Sequence, residues 1–271
     1  EITCRDWSSD VCSSDLYAEK VSLILRDLNL QPTRDAEAGE KIAYGAVLAL
    51  ERMRAPIGFA PLFFASEGWY QKRVRDQAMR SLPLVLDDPS DAVMALLLEE
   101  TPDRMVKALN LELTSKAPTE NKAKVASKAL DRGLLASPKN KTDEVTLAQL
   151  RVNAMNALAV SGPGNGSNAP NLAQAYRLGS FDERLVALKA MGADKSVEAA
   201  KEMSAIILDL NSQQMAGRVT DANNNLMKAA MQNAAINARK ELLPAIDAVI
   251  FNKGWSSGVL TLASQARKAL Q

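Results

Sequence analysis

The chain of 271 residues balances 33 Lys and Arg against 32 Asp and Glu, and its formal charge of +1 is well short of a nucleic-acid footprint. Histidine is absent and the two cysteines, Cys4 and Cys12, sit near the start, so His- or Cys-based catalytic triads and most zinc sites have no residues to use. Aromatics make up only 4% of the chain and most long segments are Ala, Leu, Lys, Glu, Met and Gln, good helix formers that predict an all-α fold. Carboxylate, lysine or tyrosine chemistry stays open, but no motif signals it. The chain therefore reads as not an enzyme, with no cofactor and no metal site. No apolar run approaches the roughly 18 residues of a membrane span.

Residues 1–16, EITCRDWSSDVCSSDL, are rich in Ser and Asp and show neither helical period nor strand alternation. The string from Arg5 to Leu16 resembles one reading frame of a common short-read sequencing adapter, and Glu1 to Cys4 fit the bases before it. On that reading 1–16 is an adapter-derived artefact, expected to be disordered and to add nothing to the fold, as a fusion scar would. Both cysteines then drop out. Without Arg5 and the acids Glu1, Asp6, Asp10 and Asp15, the formal charge of +1 becomes +4. The natural N-terminus is then expected to be missing, which leaves the compartment open, cytoplasmic or exported.

The folded part is expected over 17–271. A first helix is predicted over 17–28, with Val21, Leu23, Ile24 and Leu28 partly uncovered because the ends of a helical stack need polar caps. Helices over 40–53, 57–66 and 71–86 follow. In the third helix Phe59, Leu62 and Phe63 make an i, i+3, i+4 stripe, Pro61 sits early, and Gly68 is a terminator. Five aromatics, Phe59, Phe63, Phe64, Trp69 and Tyr70, fall within twelve residues and lead into Lys72, Arg73 and Arg75. The three Phe are assigned to the core. Trp69 and Tyr70, at a turn between helices, form with Arg73 the candidate partner-binding site, because aromatic and Arg residues dominate binding hot spots.

A period begins in the helix over 71–86, whose apolar stripe is Val74, Ala78 and Leu82. Arg, then Ala three residues on, then Leu or Met four further, recurs as Arg75-Ala78-Leu82, Arg151-Ala154-Leu158 and Arg184-Ala187-Met191. The shorter Ala-x-x-x-Leu core recurs at Ala46/Leu50, Ala126/Leu130 and Ala266/Leu270. These positions share one helical face, where Ala lets a neighbour approach and Leu fills the gap. From Leu50 to Met191 these positions step by about 30 to 50 residues, which brackets a two-helix repeat, and the step on to Leu270 is about twice as long. Arg75, Arg151 and Arg184 open the seams and are assigned a structural role, a guanidinium reaching an acid or carbonyl of the neighbouring repeat.

Further helices are predicted over 91–98, 103–115, 120–135, 143–160, 169–178, 182–192, 196–210, 222–237, 239–251 and 256–270. Between Asp87 and Asp91 the acids lack the spacing of a calcium loop and read as a turn with a helix N-cap. The stretch SGPGNGSNAP over 161–170 interrupts any helix; it reads as a long loop, or else as a break between two sub-stacks. Its Gly162, Gly164 and Gly166 lack the preceding strand and the Lys that a phosphate cradle needs. Met79, Met155 and Met191 read as core filler. Near the end, Leu243-Pro244 opens a helix that finishes, like the one before Trp69, in Gly254-Trp255. Trp255 is assigned a structural role there, followed by a stripe of Val259, Leu262, Ala263, Ala266 and Leu270.

Val74-Arg75-Asp76-Gln77-Ala78 with Leu82, and Pro61 in the helix before, resemble the second and first helices of bacterial HEAT-repeat proteins. The likeness extends thinly over 17–271: 102–135 lacks the Arg, and Asn223, Asn224 and Asn225 stand where larger apolar residues are expected. The resemblance implies a HEAT-like α-solenoid of about six helix pairs, a soluble bacterial scaffold that holds a protein or peptide, with no specific nucleic acid. Two other activities of HEAT-like families stay open. One is that of DNA glycosylases, which would set Arg73, Arg75 and Arg80 against phosphates. The other is that of bilin lyases or small-ligand binders, which need a definite pocket.

Overall fold

The computed structural model describes residues 6–30, 34–163 and 166–271, with side chains from Asp15 onward. Among the described residues there is no strand, and the α-helices are α1 (Asp6–Leu30), α2 (Ala36–Met53), α3 (Phe59–Ser66), α4 (Lys72–Val85), α5 (Ser90–Glu99), α6 (Pro102–Thr114) and α7 (Thr119–Leu135), then α8 (Lys141–Ser161), α9 (Ala169–Leu178), α10 (Phe181–Ala193), α11 (Val197–Met215), α12 (Asp221–Asn237), α13 (Leu243–Phe251) and α14 (Ser257–Ala269). Short 3-10 turns, Pro56–Gly58 and Lys240–Leu242, lead into α3 and α13. None of the described helices is long and apolar enough to cross a membrane.

The chain divides into two compact units, residues 1–92 and 93–271. In the first, α1 packs on α2 and α3, and α4 packs on α2 and α3. In the second, α6, α8, α10, α12 and α14 touch in that order, as do α7, α9, α11 and α13, and helices of one row pack against those of the other. The loop after α8 lies inside this second unit; 164–165 fall outside the described residues.

Every Ala–Leu seam read from the sequence is buried: Ala46/Leu50, Ala78/Leu82, Ala126/Leu130, Ala154/Leu158, Ala187/Met191 and Ala266/Leu270. Local capping chemistry explains where many helices start. Asp35 accepts from the Ala38 N–H at 3.0 Å, Asn140 from Asp143 at 2.8 Å and Ser196 from Ala199 at 3.0 Å, while Ser180 and Glu183 form a reciprocal capping box on α10. Ends are set by Arg54 and Ala238, both in left-handed conformation, a position at which the helix cannot continue.

Two features depart from the sequence reading. α1 is helical from Asp6 rather than from residue 17; once the Ala18, Ser22 and Leu25 face is buried, adding preceding residues costs no new nucleation. The side chains of 1–14, Cys4 and Cys12 included, lie outside the described residues. Met155 and Met191 are buried, but Met79 is exposed, because it lies next to the α4 seam rather than on it.

Candidate functional site

The turn between α3 and α4 is held from behind by the last turn of α1. Trp69 Nε1 donates to the Leu28 carbonyl at 2.9 Å, and the Tyr70 hydroxyl donates to Asn29 Oδ1 at 2.9 Å. Asn29 Nδ2 in turn donates to the Pro61 carbonyl at 2.9 Å, so one amide ties α1 to both α3 and the turn. The two rings lie 4.4 Å apart, tilted by 35°. Gly68 suits the close packing here, since a Cβ would meet the Phe64 carbonyl oxygen at 3.1 Å and the Tyr70 ring at 3.2 Å, tighter than ordinary contact. Burial pushes the Tyr70 hydroxyl up to about 12 from its ordinary 10.0.

Of the three residues read as a partner site, Tyr70 is buried, Trp69 half-buried and Arg73 exposed. Trp69 and Tyr70 stack on each other, whereas Arg73 turns to α2 and lies over the Tyr44 ring, 4.3 Å from its centroid. There it lines a groove of about 320 Å³ with Glu37, Glu40, Lys41, Tyr44, Gln71 and Val74. Glu40 Oε1 accepts from the Gln71 N–H at 2.5 Å, and Lys41 pairs with Glu37 at 2.6 Å. The groove thus carries both charge signs around one aromatic face, chemistry suited to a polypeptide with mixed side chains. Tyr44, Glu37 and Glu40 were not singled out in the sequence; the signal is a half-buried aromatic at the border of the α2 face that reads Ala43, Ala46, Leu50.

The seam arginines take different places. Arg151 Nε pairs with Glu183 Oε1 at 2.8 Å and its Nη1 donates to the Gly133 carbonyl at 2.9 Å, linking α8 to α10 and α7. Gly133 is part of this contact, because a Cβ there would stand 2.8 Å from Arg151 Cγ. Arg184 Nε donates to the Gly179 carbonyl at the end of α9 at 3.1 Å, and its guanidinium lies 5.8 Å from the Tyr176 ring centroid. Arg75 is exposed. Arg80 donates to Gln77 Oε1 at 2.9 Å, and Arg73, Arg75 and Arg80 do not gather on one acceptor.

Trp255 is the counterpart of Trp69 in the second unit. It is buried, and its Nε1 donates to Asn211 Oδ1 at 2.8 Å. Asn252 Nδ2 donates to the same oxygen at 2.9 Å and to Gln214 Oε1 at 2.8 Å. Among the described residues no group of three or more Asp, Glu, His or Cys is placed to hold a metal ion. Neither a protein-family model, nor a curated protein, nor a solved structure matches the chain.

Proposed function

We propose that this chain is a non-catalytic scaffold of the HEAT kind, an α-solenoid that holds a protein or peptide partner, with the α2–α4 groove at Arg73 and Tyr44 as the contact in the first unit. The observation that carries the reading is the order of helix packing. Helices two apart in sequence pack in rows and the rows pack on each other, as stacked two-helix repeats require, and such stacks offer extended surfaces for partners. The recurrent Ala–Leu seams, all buried, supply the repeating unit. The mixed charges flanking Tyr44 favour a peptide over the uniform phosphate backbone of nucleic acid, whose binding rests on arrays of cations.

A displayed peptide library selected against the immobilised chain tests this. The expected result is a family of peptides that photo-crosslink to α2 or α4 and are not consumed. Turnover of a ligand, or a sequence- or lesion-dependent gel shift with DNA or RNA at physiological salt, would overturn it.

A further inference from the structure

We propose that α1 is a self-association surface on which a second copy of this chain docks antiparallel, with the two-fold axis near Leu23. This goes beyond partner binding at the α2–α4 groove and uses a different face of the first unit.

α1 spends its inner face on Ala18, Ser22 and Leu25, which are buried, and on half-buried Asn29. Its outer face is not the polar surface that a finished helix presents. Leu16 is 51% exposed, Tyr17 63%, Leu23 40%, Ile24 48% and Leu30 79%. No other helix among those described leaves as many large apolar side chains exposed. Their spacing is ordered: Leu23 and Leu30, like Tyr17 and Ile24 beside them, stand seven residues apart, and Leu16, the last residue of the segment read as adapter-derived, continues the leucine row in this chain. A seven-residue step keeps side chains on one seam against a partner helix, as in a coiled coil. Uncovered apolar area of this kind marks an interaction surface.

The charges on the same face say which partner fits. Lys20 and Asp27 lie between the two apolar rows, Glu19 and Arg26 border the leucine row, and all four are exposed. Arg26 and Asp27 have side chains 61% and 69% exposed, and their mutual contact is 3.5 Å between neighbours in sequence. If two copies of α1 ran parallel and in register, Lys20 and Asp27, which lie between the apolar rows, would each face its own like. If they run antiparallel about Leu23, Leu16 meets Leu30 of the other copy, Leu23 meets Leu23, Lys20 meets Asp27 and Glu19 meets Arg26. Every pair occurs twice by symmetry, as an isologous contact demands. The apolar rows supply affinity and the charges select the orientation. A single helix pair about 15 residues long buries area at the low end of specific interfaces, so association is expected at micromolar concentrations.

Sedimentation velocity of the full chain from about 1 to 100 μM tests the proposal. A mass that doubles across this range is the expected result, and a chain that stays monomeric at the top of it overturns the proposal. Leu23→Glu sets two carboxylates against each other at the axis and should return the monomer, with circular dichroism and melting temperature unchanged because Leu23 is exposed. A dimer that survives Leu23→Glu is held elsewhere, and the proposal fails. Asp27→Lys places Lys against Lys twice and should weaken the dimer about tenfold, and adding Lys20→Asp should restore it. A double variant no tighter than the single one overturns the antiparallel pairing.

Discussion

Gly68-Trp69 in the first unit and Gly254-Trp255 in the second end the same kind of helix. Each follows a short proline-bearing helix and precedes an amphipathic one, and each indole N–H reaches back to the helix two elements earlier, 41 residues away in one case and 44 in the other. The acceptors differ. Trp69 donates to a main-chain carbonyl in the last turn of α1, one of the oxygens that a helix end leaves without an internal partner. Trp255 donates to the Asn211 side chain, which Asn252 also uses, so that turn carries a shared amide network inside the fold. One motif therefore does two jobs, a cap at a partly open helix end and a buried brace. What decides between them is the acceptor, many residues distant, and not the local sequence.

The largest effect should come from breaking the brace. Trp255→Ala removes a buried indole and takes one partner from the Asn211 oxygen, and it should cost roughly 3–5 kcal/mol in urea unfolding. Trp69→Ala removes a half-buried ring and returns a helix-end carbonyl to water, so about half that loss is expected. Equal losses at the two positions would erase the distinction between brace and cap.

Part of this was legible in the sequence. The seams could be read because Ala and Leu on one helical face leave few alternatives to burial, and the helices followed from that period. Loop 161–170 was read from its Gly and Pro. Its fastening was not, since Asn168 meets Asp194 and Ser127 only in the fold, with the Asn168 N–H donating to Asp194 Oδ2 at 3.1 Å. The candidate site was legible in half. Aromatics clustered before a basic run mark the turn, but whether Trp69 and Tyr70 face out depends on Leu28 and Asn29, which no local pattern connects to them. Arg73 was named without Tyr44, the residue it lies against, because the pair joins two helices. Among the seam arginines, Arg151 has an acid and a carbonyl within reach, while Arg75 opens the same motif and stays exposed.

Tyr70 and Tyr176 set the two units side by side at alkaline pH. The Tyr70 hydroxyl titrates at about 12 rather than 10.0 because burial opposes the phenolate. A raised folded value means that its contribution is complete below pH 10 and is lost as the pH rises through 12. Tyr176, in the second unit, is also pushed to about 12, first by burial, with Arg184 lowering it and Asp209 raising it. Alkaline unfolding between pH 10 and 12 should therefore involve both units, and Tyr70→Phe should remove the first unit's share. Below pH 10 that variant should lose only the bond to Asn29, about 1 kcal/mol. The difference in phenolate absorbance between the parent chain and Tyr70→Phe, recorded alongside circular dichroism, isolates Tyr70 among the four tyrosines; a Tyr70 that titrates at 10 with the fold intact would contradict its burial.

The smallest effect on stability, and the one that bears most on function, belongs to Arg73. Its guanidinium lies over Tyr44 at an exposed site, where a cation–π contact contributes about 0.5–1 kcal/mol at most, and the aliphatic stem covers part of the groove. Arg73→Ala should therefore leave urea unfolding within about 1 kcal/mol of the parent chain. If the groove is where a peptide lies, the same change removes the cation set against the Tyr44 face, and peptides selected on the parent chain should bind about tenfold more weakly or worse. Arg73→Lys distinguishes charge from shape, because Lys keeps the charge but not the flat, stacking fork. If the groove needs only a positive charge, Lys restores binding; if the guanidinium orders Tyr44 for the ligand, it does not. Binding unchanged in both variants would move the partner's contact away from α2 and α4 and leave Arg73 as a surface residue resting on its neighbour.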